Sequence, residues 1–552
     1  MVDANVLSVL RDIALHVPDR PALVMETGVI SFGALWDRIG RVAAGLRRLG
    51  LGAGERAIVM IPMSIDLYVA MLALLEIGAV AVFVDPWIGR RQIAAFAAFA
   101  GPRAWIGTAK SHLLRLLDRR LRAIPIAVTT GRRLGSLPAP LSLAELEREP
   151  GDGAIHPVSP GDPALITFTT GSSGEPKGAN RTHGFLLAQR AALAAEFPAR
   201  EGDVEMTMFP VFALNNLAAG VPSIVPAMDF RRVDRVDAGR VLAQMRRHGV
   251  TTCTASPPFF DRLAGALETA EERPAAEMPR LRRLLTGGAP VSDAQLRVWR
   301  RAFPETEILV AYGSTEAEPV AHLTAEERLA ATNPGRPLAP GYCAGAPIDR
   351  LRAKAVRIHP GPIELGADGW TPWELAAGEI GELVVTGEHV CRDYYRNPGA
   401  VRETKIADPD TGAVWHRMGD TGSFDALGRF WLAGRVHSTI RRGGALVHPQ
   451  LVEQAALGDD PRLRRVAAVG LPDAELGERV VLAVETCTAK TAAEIAGEIA
   501  ARVAAAGLPV DGILLTREPL PVDPRHNSKI DYGKLRLRLR KERKPLLCSP
   551  PA

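Results

Sequence analysis

Ile166-Thr167-Phe168-Thr169-Thr170-Gly171-Ser172-Ser173-Gly174-Glu175-Pro176-Lys177-Gly178-Ala179-Asn180 is the stretch on which the reading of this chain turns. Its apolar, β-branched approach, Ala164-Leu165-Ile166, predicts a short strand that runs into glycines and hydroxyls closed by one lysine. Glycines let the backbone approach an anion and turn its N–H groups toward it. Hydroxyls donate hydrogen bonds, and a lysine adds a mobile point charge, so the composition suits a phosphate chain. It is not a Walker A loop, because Pro176 stands where that motif needs its last glycine and Gly178 where it needs a magnesium-binding serine or threonine. A metal ligand is therefore expected elsewhere. Taken alone, such a loop also reads as a flexible connection, so the surrounding chain has to decide.

Outward from the loop, the spacing alternates strand and helix. Asn5 to His16 has helical periodicity and is ended by Pro18 and Pro21; Ala22 to Met25 reads as a strand; Ser31 is a candidate N-cap for a helix from Phe32 to Leu49. Ala57 to Met60 reads as a buried strand and Ile65 to Leu75 as the next helix, with further strands at Ala104 to Ile106 and Ile124 to Val128. Gly131 to Pro160 reads as a surface connection. Past the loop, a helix opens at Thr182-His183-Gly184 and runs to Glu196, followed by strands at Glu205 to Met208, Val221 to Val225 and Val250 to Ala255. This alternation predicts an α/β fold with mostly parallel strands. A composition shift at Gly434-Arg435-Val436-His437 predicts a large domain of mixed sheets flanked by helices over residues 1–435, and a small mobile α+β lid over 436–552.

At 552 residues the chain exceeds one ordinary core, and 47% hydrophobic with 23% charged residues is an ordinary globular composition without bulk disorder. The net charge of +5 is small, and much of it lies in Lys534 to Lys544. That run could meet anionic lipid or nucleic acid, but it reads more simply as a solvated tail, and no nucleic-acid partner is expected. The five cysteines, Cys253, Cys343, Cys391, Cys487 and Cys548, are far apart; this points to a reducing, cytoplasmic setting without disulfides. Met1 to Arg20 lacks the apolar core of a secretory signal. Val69 to Val84, broken by Glu76 and Gly78, is shorter than the roughly 20 residues of a membrane span, so no transmembrane segment is expected.

The string Thr167 to Gly178 resembles the phosphate loop of the adenylate-forming superfamily, which holds acyl-CoA synthetases, peptide-synthetase adenylation domains and luciferases. Further stretches fall where that resemblance needs them. Leu284-Leu285-Thr286-Gly287-Gly288-Ala289-Pro290 is a strand with a small-residue turn; the resemblance places Gly288, Ala289 and Pro290 against the adenine. In Ala311-Tyr312-Gly313-Ser314-Thr315-Glu316, it implies that Tyr312 packs on the adenine, Thr315 touches the α-phosphate and Glu316 holds Mg²⁺, a role for which a carboxylate suits a hard dication. Met418-Gly419-Asp420-Thr421-Gly422 matches the ribose site, where one carboxylate can accept from two hydroxyls, and Arg435 matches the arginine that follows it. Pro521-Val522-Asp523-Pro524-Arg525-His526-Asn527-Ser528-Lys529-Ile530 holds the counterpart of the catalytic lysine, Lys529. The resemblance thus implies attack of a carboxylate on the α-phosphate of ATP, giving acyl-adenylate and pyrophosphate, with Lys177, Mg²⁺ and Lys529 neutralising charge and the 169–174 loop cradling phosphates.

The acceptor of the acyl group is where the chain departs from the common pattern. The usual Pro-Leu-Phe-His before the acyl pocket is Pro210-Val211-Phe212-Ala213; the residue two after the hinge arginine is His437; the following loop reads Arg441-Arg442-Gly443-Gly444-Ala445. With Leu214, Val225-Pro226-Ala227-Met228-Asp229 and the Lys529 stretch, these departures resemble the β-lactone synthetases of bacterial olefin biosynthesis. That resemblance implies a 2-alkyl-3-hydroxy fatty acid whose own hydroxyl displaces AMP, an acyl pocket that includes Phe212, Ala213 and Leu214, and pathway partners of thiolase, reductase and hydrolase type. His437 and His183 are candidate general bases for the hydroxyl, but each reads more simply as structural. A fatty acyl-CoA ligase is the alternative with the same first step, and a degenerate nucleotide-binding scaffold is the alternative outside catalysis.

Overall fold

The computed structural model describes residues 4–84, 90–131, 141–148, 150–169, 177–269, 280–332, 341–458, 460–487, 492–522 and 530–541. One sheet runs Leu141–Ser142, Ile126–Thr130, Ala104–Thr108, Arg56–Met60, Val80–Phe83, Pro163–Thr169, Lys177–Thr182 in spatial order. All its neighbours are parallel except the last pair, which closes antiparallel. A second sheet runs Ala317–Thr324, Glu307–Ser314, Arg283–Thr286, Thr252–Ala255, Glu205–Thr207, Ser223–Ile224, Pro21–Met25, Gly28–Ser31. It is parallel through its middle and antiparallel at both edges. Parallel strands are covered on both faces, and this is why Ala57 to Met60 and Thr252 to Ala255 are buried without alternation.

Helices Phe32–Arg48 and Ile65–Glu76 pack into one core with strands of both sheets. The Ser31 hydroxyl caps the first, accepting from the Ala34 N–H at 3.3 Å. The second has no polar face: Leu67 to Glu76 are all buried, as a helix apolar all round requires. A second core gathers Phe259, Phe260 and Trp299 beneath the Thr252–Ala255 side of the other sheet. The third sheet departs from the expected parallel pattern. Its strands Tyr342–Gly345, Phe430–Arg435, Val414–Phe424, Gly381–Gly387 and Leu351–Val356 are antiparallel, and Lys405–Ala407 is paired to the start of Val414–Phe424.

After Arg435 a short 3₁₀ turn, Val436–Ser438, leads into a separate C-terminal region. Its own sheet, Ala445–Val447, Ile440–Arg442, Gly477–Thr486, Leu463–Asp473 with Gly512–Thr516 added alongside, has apolar cores on both faces. The basic run expected to be a tail begins inside the helix Tyr532–Lys541, whose Leu535 and Leu539 are buried against that sheet. Spaced four apart, Leu535 and Leu539 share one helix face, while Leu537 between them is exposed and Arg538 pairs with Glu518 at 2.8 Å. In the expected connection, Ser142 caps the short helix Leu143–Leu146 through a reciprocal bond with Glu145, and Leu143 and Leu146 reach the core. Among the described residues, the cysteines Cys253, Cys343, Cys391 and Cys487 are free, and no helix is long and apolar enough to cross a membrane.

Glu76 ends the buried helix with no exposed surface; among the described residues neither carboxylate oxygen takes a hydrogen bond, and Arg47 Nη2 stands 3.8 Å away. Burial pushes its carboxyl up to about 7, against the pull of Arg47. A carboxyl that binds its proton more tightly when folded stabilises fully below its unfolded pKa near 4.5, and that contribution is lost as pH rises through 7. Glu76→Met is therefore expected to gain stability relative to the parent by about 3 kcal/mol between pH 4.5 and 8. Urea unfolding of both proteins across that range measures it, and a pH-independent difference would refute the buried-charge account.

Candidate active site

The strand Glu307–Ser314 delivers the central residues. Ile308 to Val310 are buried beside Arg283–Thr286, and beyond that partner's end the strand continues as Ala311-Tyr312-Gly313-Ser314. Thr315 and Glu316 form a two-residue turn, since Ser314 pairs with Ala317 of the returning strand. Gly313 is required by closeness: a Cβ there would lie 2.8 Å from the Ala317 carbonyl oxygen. The turn Gly288-Ala289-Pro290 follows the neighbouring strand, and Gly287 passes so near Ala311 that a Cβ would sit 2.8 Å from its carbonyl oxygen. Gly288 has φ of +80° and open space where a side chain would be.

Tyr312, Asp420 and Arg435 form one group. The Tyr312 hydroxyl donates to Asp420 Oδ2 at 2.5 Å, and Arg435 Nε lies 2.8 Å from Oδ1. Asp420 is mid-strand in Val414–Phe424, not in a glycine-rich turn, and faces Arg435 across the ladder. Burial and the Asp420 charge push the Tyr312 hydroxyl well above the usual phenol, and the carboxylate raises the Arg435 guanidinium. The Tyr312 ring packs 6.0 Å from Phe430, centre to centre. The group therefore joins an aromatic face to a carboxylate and a cation, spaced along one edge of the site.

Glu316, 9% exposed, is held from behind. Its Oε1 accepts from the Tyr394 hydroxyl at 2.9 Å, its carbonyl accepts from the Cys391 N–H at 2.7 Å, and among the described residues Oε2 takes no hydrogen bond. One carboxylate oxygen left open suits a magnesium ion whose other ligands are phosphate oxygens and water. Among the described residues there is no group of three or more acidic, histidine or cysteine side chains to hold a metal by itself. Thr315 is fixed by its carbonyl, which accepts from Arg181 Nη2 at 2.7 Å. The Ser314 hydroxyl accepts from the Glu316 N–H at 3.2 Å.

Lys177 opens the strand Lys177–Thr182 and pairs with Thr169 at the end of Pro163–Thr169, so the two strands that flank residues 170–176 are anchored side by side. Its Nζ is 3.7 Å from Glu403 Oε2. Ala179, two residues on, bridges to Tyr394. This brings the lysine's strand against the segment that holds Glu316. Thr170, Gly171, Ser172, Ser173 and Gly174 lie outside the described residues, as do the Thr169 side chain and Lys529.

The helix Pro210–Leu217 runs beside this edge. Phe212 joins Leu285, Leu309 and Ala311 in one apolar cluster, which places it against the strand of Tyr312. Ala213 is fully buried and Leu214 half-buried on the N-terminal core. His183 is fully buried, its Nδ1 accepting from the Val6 N–H at 3.4 Å, so it belongs to that core. His437 lies in the 3₁₀ turn that follows Arg435, and burial and that guanidinium lower its pKa. Gly443 and Gly444, both at positive φ, make the two-residue turn between Ile440–Arg442 and Ala445–Val447.

Tyr394, Arg181, Lys405 and His416 escaped sequence reasoning. Tyr394-Tyr395 before Asn397-Pro398 carries a turn signal without chemistry, and a lysine inside Thr404-Lys405-Ile406 carries no sign of burial. Tyr394 and Arg181 are held by Glu316 and Thr315, far away in the sequence, whereas Lys405 and His416 face each other across neighbouring strands.

Residues 10–395 match the family described as AMP-binding enzyme, whose members use ATP. The chain is similar to the olefin β-lactone synthetase of Stenotrophomonas maltophilia, 33% identical over 96% of this chain and 97% of that protein. It is also similar to the olefin β-lactone synthetase of Xanthomonas campestris pv. campestris, 32% identical over 96% of each. Among solved structures, o-succinylbenzoate CoA synthetase (MenE) from Bacillus subtilis in complex with the acyl-adenylate intermediate OSB-AMP superposes with a TM-score of 0.75, at 20% identity, over 98% of this chain and 99% of that one. A matched family region covering most of the chain, relatives alike over nearly their whole length and a shared fold place the chain in the AMP-binding enzyme family, as an adenylate-forming ligase.

Proposed function

We propose that the enzyme activates a long-chain 2-alkyl-3-hydroxy fatty acid as its acyl-adenylate, releasing pyrophosphate, and that the acid's own 3-hydroxyl then closes a β-lactone and releases AMP. The observation that carries the acceptor half is the likeness, over nearly the whole chain, to two olefin β-lactone synthetases. The adenylation half is supported by the Tyr312–Asp420–Arg435 group beside the Glu316 turn.

In this reading Gly288, Ala289, Pro290, Ala311 and Tyr312 receive the adenine, Asp420 and Arg435 the ribose, and residues 169–174 with Gly313, Ser314 and Thr315 the phosphates. Tyr312 and Arg435 orient the Asp420 carboxylate by occupying one oxygen each, and each oxygen keeps a lone pair for a ribose hydroxyl. Glu316 would hold Mg²⁺ through its open oxygen. The ion, when bound, neutralises charge on the phosphates as pyrophosphate leaves. Lys177 anchors the phosphate chain, and Lys529 stabilises charge where carboxylate and α-phosphate meet.

The boundary is set at 435/436, with residues 436–552 as the lid that brings Lys529 to the site. The Thr421 hydroxyl contact with His448 Nδ1, 3.0 Å across that boundary, supports a joint next to the ribose carboxylate. Phe212, Ala213 and Leu214 line the acyl pocket. The tethered hydroxyl attacks the adenylate carbonyl at high effective concentration, and loss of AMP offsets the ring strain. The setting is the cytoplasm, and thiolase-, reductase- and hydrolase-type enzymes are the expected pathway partners.

The test is product mass after incubation with Mg·ATP and a 2-alkyl-3-hydroxy fatty acid, with and without CoA. The expected product is lighter than the acid by one water, forms without CoA and accompanies AMP. A thioester formed only with CoA would replace the lactone reading by that of a fatty acyl-CoA ligase. Absence of pyrophosphate release from every acid tested would refute the adenylation half.

A further inference from the structure

Lys405 is a lysine in an unexpected place. It opens the short strand Lys405–Ala407, is only 7% exposed, and among the described residues has no carboxylate within ion-pair distance. Its Nζ donates to the Cys391 carbonyl, lies 3.1 Å from His416 Nδ1, and stands 5.1 Å from the centre of the Tyr394 ring. Burying an amine costs several kcal/mol unless its hydrogens are met, and here two acceptors and an aromatic face meet them. An apolar side chain could fill the same space without that cost, so the lysine calls for a reason beyond packing.

What it holds supplies one. The segment from Cys391 to Tyr394 lies between Lys405 and the Glu316 turn: Cys391 receives Lys405 on its carbonyl and donates its N–H to the Glu316 carbonyl at 2.7 Å. Its thiol donates toward the carbonyls of Asn180 and Asp393 at 3.3 and 3.0 Å. Tyr394, whose ring lies beside the amine, carries the hydroxyl that occupies Glu316 Oε1. Lys405 thus fixes both connections from this segment to Glu316, one to its main chain and one to its carboxylate.

We propose that Lys405 is a positioning residue that works through Cys391 and Tyr394 to set the rotation of the Glu316 carboxylate, so that one oxygen stays committed to Tyr394 and the other faces the metal on the nucleotide. This rests on Glu316 being the metal ligand proposed above. It places the determinant of metal affinity in a residue that touches neither metal nor nucleotide, as partners behind a metal ligand commonly do, with effects of roughly 10- to 100-fold on affinity.

The test is Mn²⁺ affinity, read by electron paramagnetic resonance in the presence of a non-hydrolysable ATP analogue, for the parent, Glu316→Gln, Tyr394→Phe, Lys405→Met and the Tyr394→Phe/Lys405→Met pair, beside the affinity of each for the analogue without metal. Expected is about a tenfold loss of Mn²⁺ affinity in Tyr394→Phe and in Lys405→Met, no further loss in the pair, and unchanged metal-free analogue binding. Parent-like Mn²⁺ affinity in Lys405→Met, or losses that simply multiply in the pair, would overturn the positioning role while Glu316→Gln still loses the metal. Should Lys405→Met not fold, Tyr394→Phe removes one oxygen only, and parent-like affinity there overturns the proposal equally. Parent-like affinity in Glu316→Gln would instead remove Glu316 as the ligand, and the proposal with it.

Discussion

Lys529→Ala is expected to lower ATP–pyrophosphate exchange by about 10²- to 10³-fold while the affinity for ATP changes little. A single cation that meets charge only as carboxylate and α-phosphate come together contributes to the transition state and little to ground-state binding, so the loss falls on kcat. The stretch that carries it has a fixed base: Val522 bridges to Ile530, the residue after Lys529, and the Asp531 N–H donates to the Pro521 carbonyl at 2.9 Å. The helix Tyr532–Lys541 then packs Leu535 and Leu539 on the C-terminal sheet. The substitution should leave that base intact. Exchange at the parent rate in a folded Lys529→Ala protein would exclude the lysine from adenylation.

Asp420→Ala should have the next largest effect, with the KM for ATP raised roughly 10- to 100-fold, the equivalent of about 1.5–3 kcal/mol for hydrogen bonds to a charged group. The carboxylate serves two protein donors, Tyr312 at 2.5 Å and Arg435 at 2.8 Å, so its removal also frees a buried hydroxyl and a guanidinium to reorient. Tyr312→Phe separates the two consequences. It removes one donor, leaves the carboxylate and its ion pair with Arg435, and should raise KM far less. Calorimetry of ATP binding to both variants measures this; equal losses would show that Asp420 acts by holding Tyr312 rather than by meeting the nucleotide.

The two designs at the site follow different logics. The Asp420 side is a closed pair of contacts across an antiparallel ladder, in which Asp420 and Arg435 face each other and Tyr312 comes from another sheet. The Glu316 side is layered, from Lys405 through Cys391 and Tyr394 to the carboxylate. Charge is engaged directly in the first and through neutral groups in the second.

Much of this was legible in one dimension because it depends on neighbours in the chain. Ser31 before an apolar period of 3.6 specifies a capped helix, and the unbroken apolar run from Leu67 to Leu75 specifies one buried on all sides. Glycine-rich motifs with fixed spacing pointed to an adenylate-forming fold, and the family match agrees. The helix at Tyr532–Lys541 was misread because three leucines alternating with charges are a weak local signal, and only the sheet that covers Leu535 and Leu539 makes those two a core.

What only the tertiary structure decided is pairing across long separations. Glu316 and Tyr394, Tyr312 and Asp420, and Arg181 and Thr315 meet through strand order and loop closure, which no local pattern encodes. By itself the sequence determined the elements, their periodicity and the residues able to bear charge or bind phosphate, since these follow from backbone propensity and side-chain chemistry. The burial of Lys405 and Glu76, and the open oxygen of Glu316, depend on which surfaces the fold removes from water, and that is a property of the packed chain as a whole.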